Sequence, residues 1–139
     1  MEGGRLPGGG GRVARPPFRP SGETQRVPEP LTPIDVVGEY FARMRAQDVG
    51  VVDLFHEDAE LIGLGTRKRG RPAILEFYRE VIERAGPAPR QIGSLLAEGG
   101  RVAAEILIGF PGGASIHALD MFDVEAGRIR SLTYFIASE

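Results

Sequence analysis

A carboxylate in the middle of an apolar strand has the clearest chemical consequence of any residue in this sequence. In Ile116-His117-Ala118-Leu119-Asp120-Met121-Phe122, strand alternation groups Ile116, Ala118, Asp120 and Phe122 on one face. His117, Leu119 and Met121 fall on the other. Asp120 therefore shares its face with large apolar neighbours, where burial disfavours the ionised form. Such a group either takes a partner or keeps its proton, and a neutral carboxyl in an apolar pocket is a hydrogen-bond donor. A second acid lies one strand upstream. From Arg101 to Phe110, alternation groups Ala103, Glu105, Leu107 and Gly109. If the hairpin at Gly112-Gly113 brings that face to the side of Asp120, Glu105 becomes a second acid in the same pocket. Two carboxyls in one apolar cavity titrate apart, which suits acid–base work.

The elements that must position these groups are legible from periodicity and punctuation. Thr32-Pro33-Ile34-Asp35 reads as a helix start, with Thr32 as cap and Pro33 in the first turn. Ile34, Val37, Phe41 and Met44 follow at helical spacing with Tyr40 beside them, and the helix is expected to end near Gln47. A short helix from Val49 to Phe55 buries Val52 and Phe55. Ala59 to Leu64 reads as a strand, which sets Leu61 and Gly63 toward the pocket, and Thr66 to Gly70 reads as a charged loop. Pro72 opens a longer helix carrying Ile74, Phe77, Val81 and Ile82, stopped by Gly86-Pro87. Strands follow at Gln91 to Ala97, Arg101 to Phe110, around Asp120, and Arg128 to Ala137, separated by glycine-rich turns. Turns this short join antiparallel neighbours.

Helices followed by a four-stranded meander make an α+β fold, with one sheet face and the helices enclosing a single cavity. The expected lining is Leu61, Gly63, Ala103, Leu107, Ala118 and Phe122, joined on the last strand by Leu132, Tyr134 and Ile136. Tyr134 adds a further donor to that face. Ile106, Ile108, Phe110, Leu119, Met121 and Phe135 are then expected on the outer face, an apolar surface too large to leave wet. A homodimer packed sheet on sheet through that face is the expected assembly.

Composition bounds the remaining classes. The chain has 139 residues, a formal net charge of -2 and no cysteine. That length suits one sizeable core, and the charge gives no electrostatic case for nucleic acid. Disulfide and thiolate chemistry are excluded. No apolar run reaches spanning length and no signal peptide is evident, so the expectation is a cytoplasmic protein with no membrane partner. Residues 1–30 are rich in Gly, Pro and Arg and are read as a disordered tail; residues 31–139 are read as the domain. Gly8 to Gly11 is followed by no Gly-Lys-Ser/Thr, so it is not a phosphate loop. Arg67-Lys68-Arg69 with Arg71 reads as a solvated basic loop. His56 reads as a solvated helix end. With His117 and the carboxylates it forms no metal set, and neither metal nor cofactor is expected.

From about residue 33 onward the chain resembles the SnoaL-like and ketosteroid-isomerase-like proteins of the nuclear transport factor 2-like superfamily. The likeness rests on Asp48…Leu54-Phe55-His56-Glu57-Asp58-Ala59, on Arg69-Gly70-Arg71-Pro72-Ala73-Ile74…Phe77-Tyr78, and on Leu119-Asp120-Met121-Phe122…Gly127-Arg128-Ile129. It implies a cone-shaped half-barrel, a curved antiparallel sheet wrapped around N-terminal helices, often dimeric, with an apolar pocket inside. It also implies a site. Ketosteroid isomerases hold an enolate oxygen with a tyrosine and a protonated aspartic acid. Tyr40, eight residues before Asp48, matches the tyrosine, and Asp120 matches the acid. The position of the usual carboxylate base is Gly63. Glu105 is the replacement available. Limonene-epoxide-hydrolase-like members need an Arg and an Asp where this chain has Ala103 and Thr133, so that chemistry is not expected.

The resulting expectation is an isomerase- or cyclase-type enzyme acting on an enolisable carbonyl compound, a small hydrophobic ligand of polycyclic or polyketide-like kind. Tyr40 and Asp120 would stabilise the oxyanion and Glu105 would act as base. The alternative is a non-catalytic ligand-binding or dimerisation domain of the same fold, in which Asp120 bonds Tyr40 and ties a helix to the sheet.

Overall fold

Thr32 starts the first helix by satisfying amides that the helix cannot. Its side chain accepts from Asp35 N, and the Asp35 carboxylate accepts from Thr32 N, closing a capping box ahead of α1 (Pro33–Arg45). The computed structural model describes residues 31–137, so the tail expected over residues 1–30 lies outside the described residues. Val36, Val37, Tyr40, Phe41 and Met44 form the buried stripe of α1. Ile34, expected on that stripe, is 47% exposed. At 100° per residue it lies roughly 90° from the centre of the stripe, at its edge.

The expected second helix is a 3-10 helix (Val49–Leu54), opened by Asp48, whose carboxylate accepts from Gly50 N. Phe55 already belongs to β1 (Phe55–Gly63). The expected charged loop is strand β2 (Thr66–Arg69), hairpinned onto β1. Its charges hid its alternation: Arg67 and Arg69 both reach Glu60 across the pair, at 3.1 and 3.3 Å. Helix α2 (Arg71–Ala85) ends on Gly86, whose φ of 57° caps the helix in the left-handed region. The single strand expected from Gln91 to Ala97 is two short ones, β3 (Ala88–Gln91) and β4 (Leu96–Glu98), and β5 (Arg101–Gly109), β6 (Ser115–Glu125) and β7 (Arg128–Ile136) follow.

The sheet runs β2-β1-β7-β6-β5-β3, with β4 also paired to β5. Neighbours joined by turns are antiparallel, as the short connections require. β1 adds to β7 in parallel, which the long connection between them allows, so the sheet is mixed rather than wholly antiparallel. It does not close on itself, and both helices pack on its inner face. Phe122 from β6 meets Tyr40 and Phe41 from α1 edge-to-face, with ring centroids 5.1 and 5.7 Å apart. Leu61, Ala118 and Leu132 complete this layer, each at most 2% exposed. The core therefore fills one end of the cup and leaves the other hollow.

Candidate active site

Asp120 sits where the core gives way to the hollow. It is 1% exposed, the one buried charged-type residue among those described. Its cross-strand neighbours on the inner face are Ala104 and Tyr134. Ala104 is small, so its side of the pair leaves the carboxyl room. Neither Asp120 oxygen has a hydrogen-bond partner within the protein. Burial pushes the carboxyl up from 3.8 to about 8, so Asp120 is protonated at neutral pH.

Three phenols converge beside it. Tyr40 comes from α1, Tyr78 from α2 and Tyr134 from β7. Their hydroxyls lie 2.8 Å (Tyr40 to Tyr78), 2.9 Å (Tyr40 to Tyr134) and 2.6 Å (Tyr78 to Tyr134) apart. Burial raises all three phenols well above their ordinary range, so each keeps its proton. Each hydroxyl has one hydrogen, and a triangle has three edges, so a closed cycle uses every donor. In that arrangement the phenols keep spare lone pairs but no spare hydrogen. The unspent donor in this site is Asp120. The direct Tyr40–Asp120 bond considered from the sequence is absent, because Tyr40 spends its hydroxyl on the two other phenols.

These four groups line a cavity of about 180 Å³. Its remaining wall is apolar, built from Met44, Phe77, Ile106, Ile108, Phe110, Ile116 and Ile136, with Leu64, Val81, Pro87 and Pro89 around them. Among the described residues no lysine, arginine or histidine lines it, and no group of three or more acids and histidines is placed to hold a metal ion.

The expected second acid is elsewhere. Ala104, not Glu105, stands opposite Asp120, and Glu105 stands opposite Leu119. The β5–β6 turn holds Phe110 to Ala114, with Gly109 opposite Ser115, so even-numbered residues of the two strands share a face. Glu105 therefore points outward, where it meets His117 at 2.6 Å with both side chains substantially exposed. Ala103 and Leu107 share that outer face and are corrected with it. By the same parity Ile106, Ile108 and Phe110 move from the expected outer surface into the cavity wall. The outer apolar patch shrinks to Leu107, Leu119, Met121 and Phe135.

Of the other expected lining residues, Tyr134 and Ile136 border the cavity. Leu61, Ala118, Phe122 and Leu132 are on the inner face but belong to the packed core. Gly63 contributes no wall: its φ is 132°, and an added Cβ would lie 2.8 Å from the Tyr134 carbonyl oxygen. Tyr78 was missed as a site residue. The signal was its place four residues after Ile74, both fully buried on α2, whereas Phe77 on the neighbouring row is only partly buried. His56, read as a solvated helix end, bonds the Glu125 carbonyl at 2.8 Å from β1. Arg71 donates to the Phe55 carbonyl at 2.7 Å and ties the start of α2 to the sheet.

An open, mixed sheet cupped over helices, with an acid and phenols at the floor of one apolar cavity, defines an α+β protein of nuclear transport factor 2-like architecture. The chain belongs to the SnoaL-like domain family, whose model matches residues 37–132. Solved structures agree on the fold. A protein from Sphaerobacter thermophilus is 31% identical, with a TM-score of 0.65, covering 76% of this chain and 96% of its own. A candidate polyketide cyclase from Sinorhizobium meliloti is 20% identical, TM-score 0.66, covering 75% and 99%. A protein with a ketosteroid isomerase-like fold from Catenulispora acidiphila, solved with trimethylamine, is 17% identical, TM-score 0.66, covering 76% and 86%. No curated protein is significantly similar to the chain. No helix among the described residues is long and apolar enough to cross a membrane.

Proposed function

We propose that the protein is a small-molecule enzyme of isomerase or cyclase type that enolises a carbonyl compound in its apolar cavity, with Asp120 and the tyrosines stabilising charge on oxygen. One observation carries the reading: a buried carboxyl faces the cavity with both oxygens unpartnered. A neutral carboxylic acid so placed is bifunctional. Its O–H gives a proton to the carbonyl oxygen while its second oxygen takes the α-proton from carbon. The Cα–H bond breaks, an O–H bond forms on the substrate, and Asp120 ends neutral with its proton on the other oxygen. No ion is created, which suits a cavity without a cation. Tyr40 keeps its place in the phenol cycle, whose dipoles support the partial charge on the substrate oxygen while the proton is in transit. Relatives of the fold named for polyketide cyclisation and ketosteroid isomerisation are consistent with enol chemistry.

The test is α-hydrogen exchange of a ring ketone in heavy water, followed by proton NMR. Wild type accelerates exchange, and Asp120→Asn keeps the ligand but loses about a hundredfold in rate. Asp120→Leu loses both, while Glu105→Gln, outside the cavity, changes neither. The wild-type rate falls as pH rises through about 8, where the acid form of Asp120 is lost. A rate that instead rises through that range would make Asp120 an ionised base and overturn the bifunctional scheme.

A second reading is favoured by the sealed Gly63 position and the outward Glu105: a ligand-binding domain without turnover. It predicts tight ring-ketone binding with no acceleration of exchange. In either case we infer a homodimer through the outer sheet face, where Leu119 is 37% and Phe135 53% exposed. Phe135→Glu is expected to shift the protein to monomer by light scattering; a monomeric wild type at micromolar concentration rules the dimer out.

A further inference from the structure

The dimensions and lining of the cavity narrow the substrate further, on the premise that Asp120 reads a carbonyl oxygen as proposed above. We infer that the cavity takes a neutral, single-ring compound carrying one oxygen acceptor, and that bicyclic and tetracyclic ketones are disfavoured. The volume is about 180 Å³. A dry engineered cavity of about 150 Å³ holds one benzene ring, and sites for drug-sized ligands begin near about 300 Å³. The space therefore suits on the order of ten non-hydrogen atoms at most. The cavity opens past Leu64, Ile116 and Ile136, all exposed, so the limit applies to the part of a ligand seated against Asp120, where the walls are stiff. Tyr40 and Tyr78 are fully buried and held by the phenol cycle, and Ile106 is 1% exposed within the sheet.

The lining also fixes charge. An anion finds no lysine, arginine or histidine there, and its desolvation would go uncompensated. A cation would have to strip the proton from Asp120 and form a buried ion pair with no further hydrogen bonds to the carboxylate, which repays desolvation poorly. A neutral acceptor costs neither. It takes the one unspent hydrogen in the site and leaves the phenol cycle intact. One acceptor suffices, because beyond Asp120 and the phenols the wall offers no side-chain donor.

The test is a protein-observed NMR titration of the full chain at pH 6 with five probes: cyclohexanone, methylenecyclohexane, a decalone, a tetracyclic steroid ketone and cyclohexylamine. Cyclohexanone is expected to bind, with shifts concentrated at Tyr134, Ile106 and Asp120. Methylenecyclohexane, the same shape without the oxygen, is expected to bind about tenfold more weakly. The decalone is expected to bind at least about tenfold more weakly than cyclohexanone, and the steroid ketone to cause no shifts in the cavity. A larger ketone that binds as well as cyclohexanone overturns the size limit and leaves the role of Asp120 standing. Equal binding of cyclohexanone and methylenecyclohexane defeats the carbonyl reading while leaving the size limit intact. Tighter binding of cyclohexylamine than of cyclohexanone overturns the neutral assignment.

Discussion

Between pH 5 and pH 8 the stability difference between Asp120→Asn and wild type is expected to move in favour of the variant by on the order of 4 kcal/mol. The sign follows from where the proton sits. Burial raises the folded carboxyl to about 8, against 3.8 for the exposed group. The folded state therefore binds a proton that the unfolded chain has released. The stabilisation is complete below the unfolded value and is lost as pH rises through the folded one. In that window each pH unit weakens the wild type by about 1.4 kcal/mol relative to a chain with no titrating group at this position. Asn is such a group, close in shape, so the comparison cancels every other carboxylate in the protein. Urea unfolding of both proteins across the window measures the effect. Parallel curves would mean that Asp120 is hydrated or partnered in solution, and the donor role would go with it. A shift of this size is a large share of the whole stability of a domain. Keeping an unpartnered acid in the hollow thus weakens the fold most at neutral and alkaline pH, and a ligand that accepts its hydrogen bond would recover part of that loss by mass action.

How much of this was legible in the sequence depended on whether a feature is local or set by register. The cap at Thr32, the stop at Gly86 and the inner face of the Asp120 strand are local, and they read correctly from residue types and alternation. The face of β5 was not local. It depends on whether an odd or even number of residues fills the turn after Gly109, and one residue inverts every side chain on the strand. Glu105 left the site for that reason alone, and Ile106, Ile108 and Phe110 entered it. β2 was hidden because its charged side chains pair with Glu60 rather than alternate with apolar residues. The parallel addition of β1 to β7 joins segments more than sixty residues apart, such as Phe55 and Ile129, which no short-range pattern encodes. The phenol cycle drew its members from three elements. Tyr40 and Tyr134 stood out individually, but their mutual bonds exist only after both helices dock on the sheet. The resemblance supplied Tyr40 and Asp120 as a pair. The geometry separates their tasks, giving Tyr40 to the cycle and leaving Asp120 free.

Replacing Gly63 by Ala is expected to cost about 3 kcal/mol or more, although the change adds a single methyl group at a half-buried position. Two costs combine. A φ of 132° is a conformation that residues with a Cβ rarely adopt. The new Cβ would also lie 2.8 Å from the Tyr134 carbonyl oxygen and 2.9 Å from the Tyr134 Cβ, closer than real contacts come. The obstacle is backbone and the root of a side chain, so no flexible tip can swing away. Whatever yields moves Tyr134, which makes two of the three bonds in the phenol cycle. The stability loss, read by urea unfolding, is therefore expected to come with altered tyrosine resonances in the cavity. This bears directly on the missing base. By resemblance, position 63 is where an isomerase of this family would carry its carboxylate. Here the backbone of Tyr134 occupies that space, so Gly63→Asp cannot restore the base and is expected to lower α-hydrogen exchange by displacing a phenol. A Gly63→Ala protein within about 0.5 kcal/mol of wild type would refute the sealing argument. A Gly63→Asp protein that exchanged ketone hydrogens faster than wild type would show that the cavity accepts a second carboxylate after all, and the single-acid scheme would have to give way to a two-residue one.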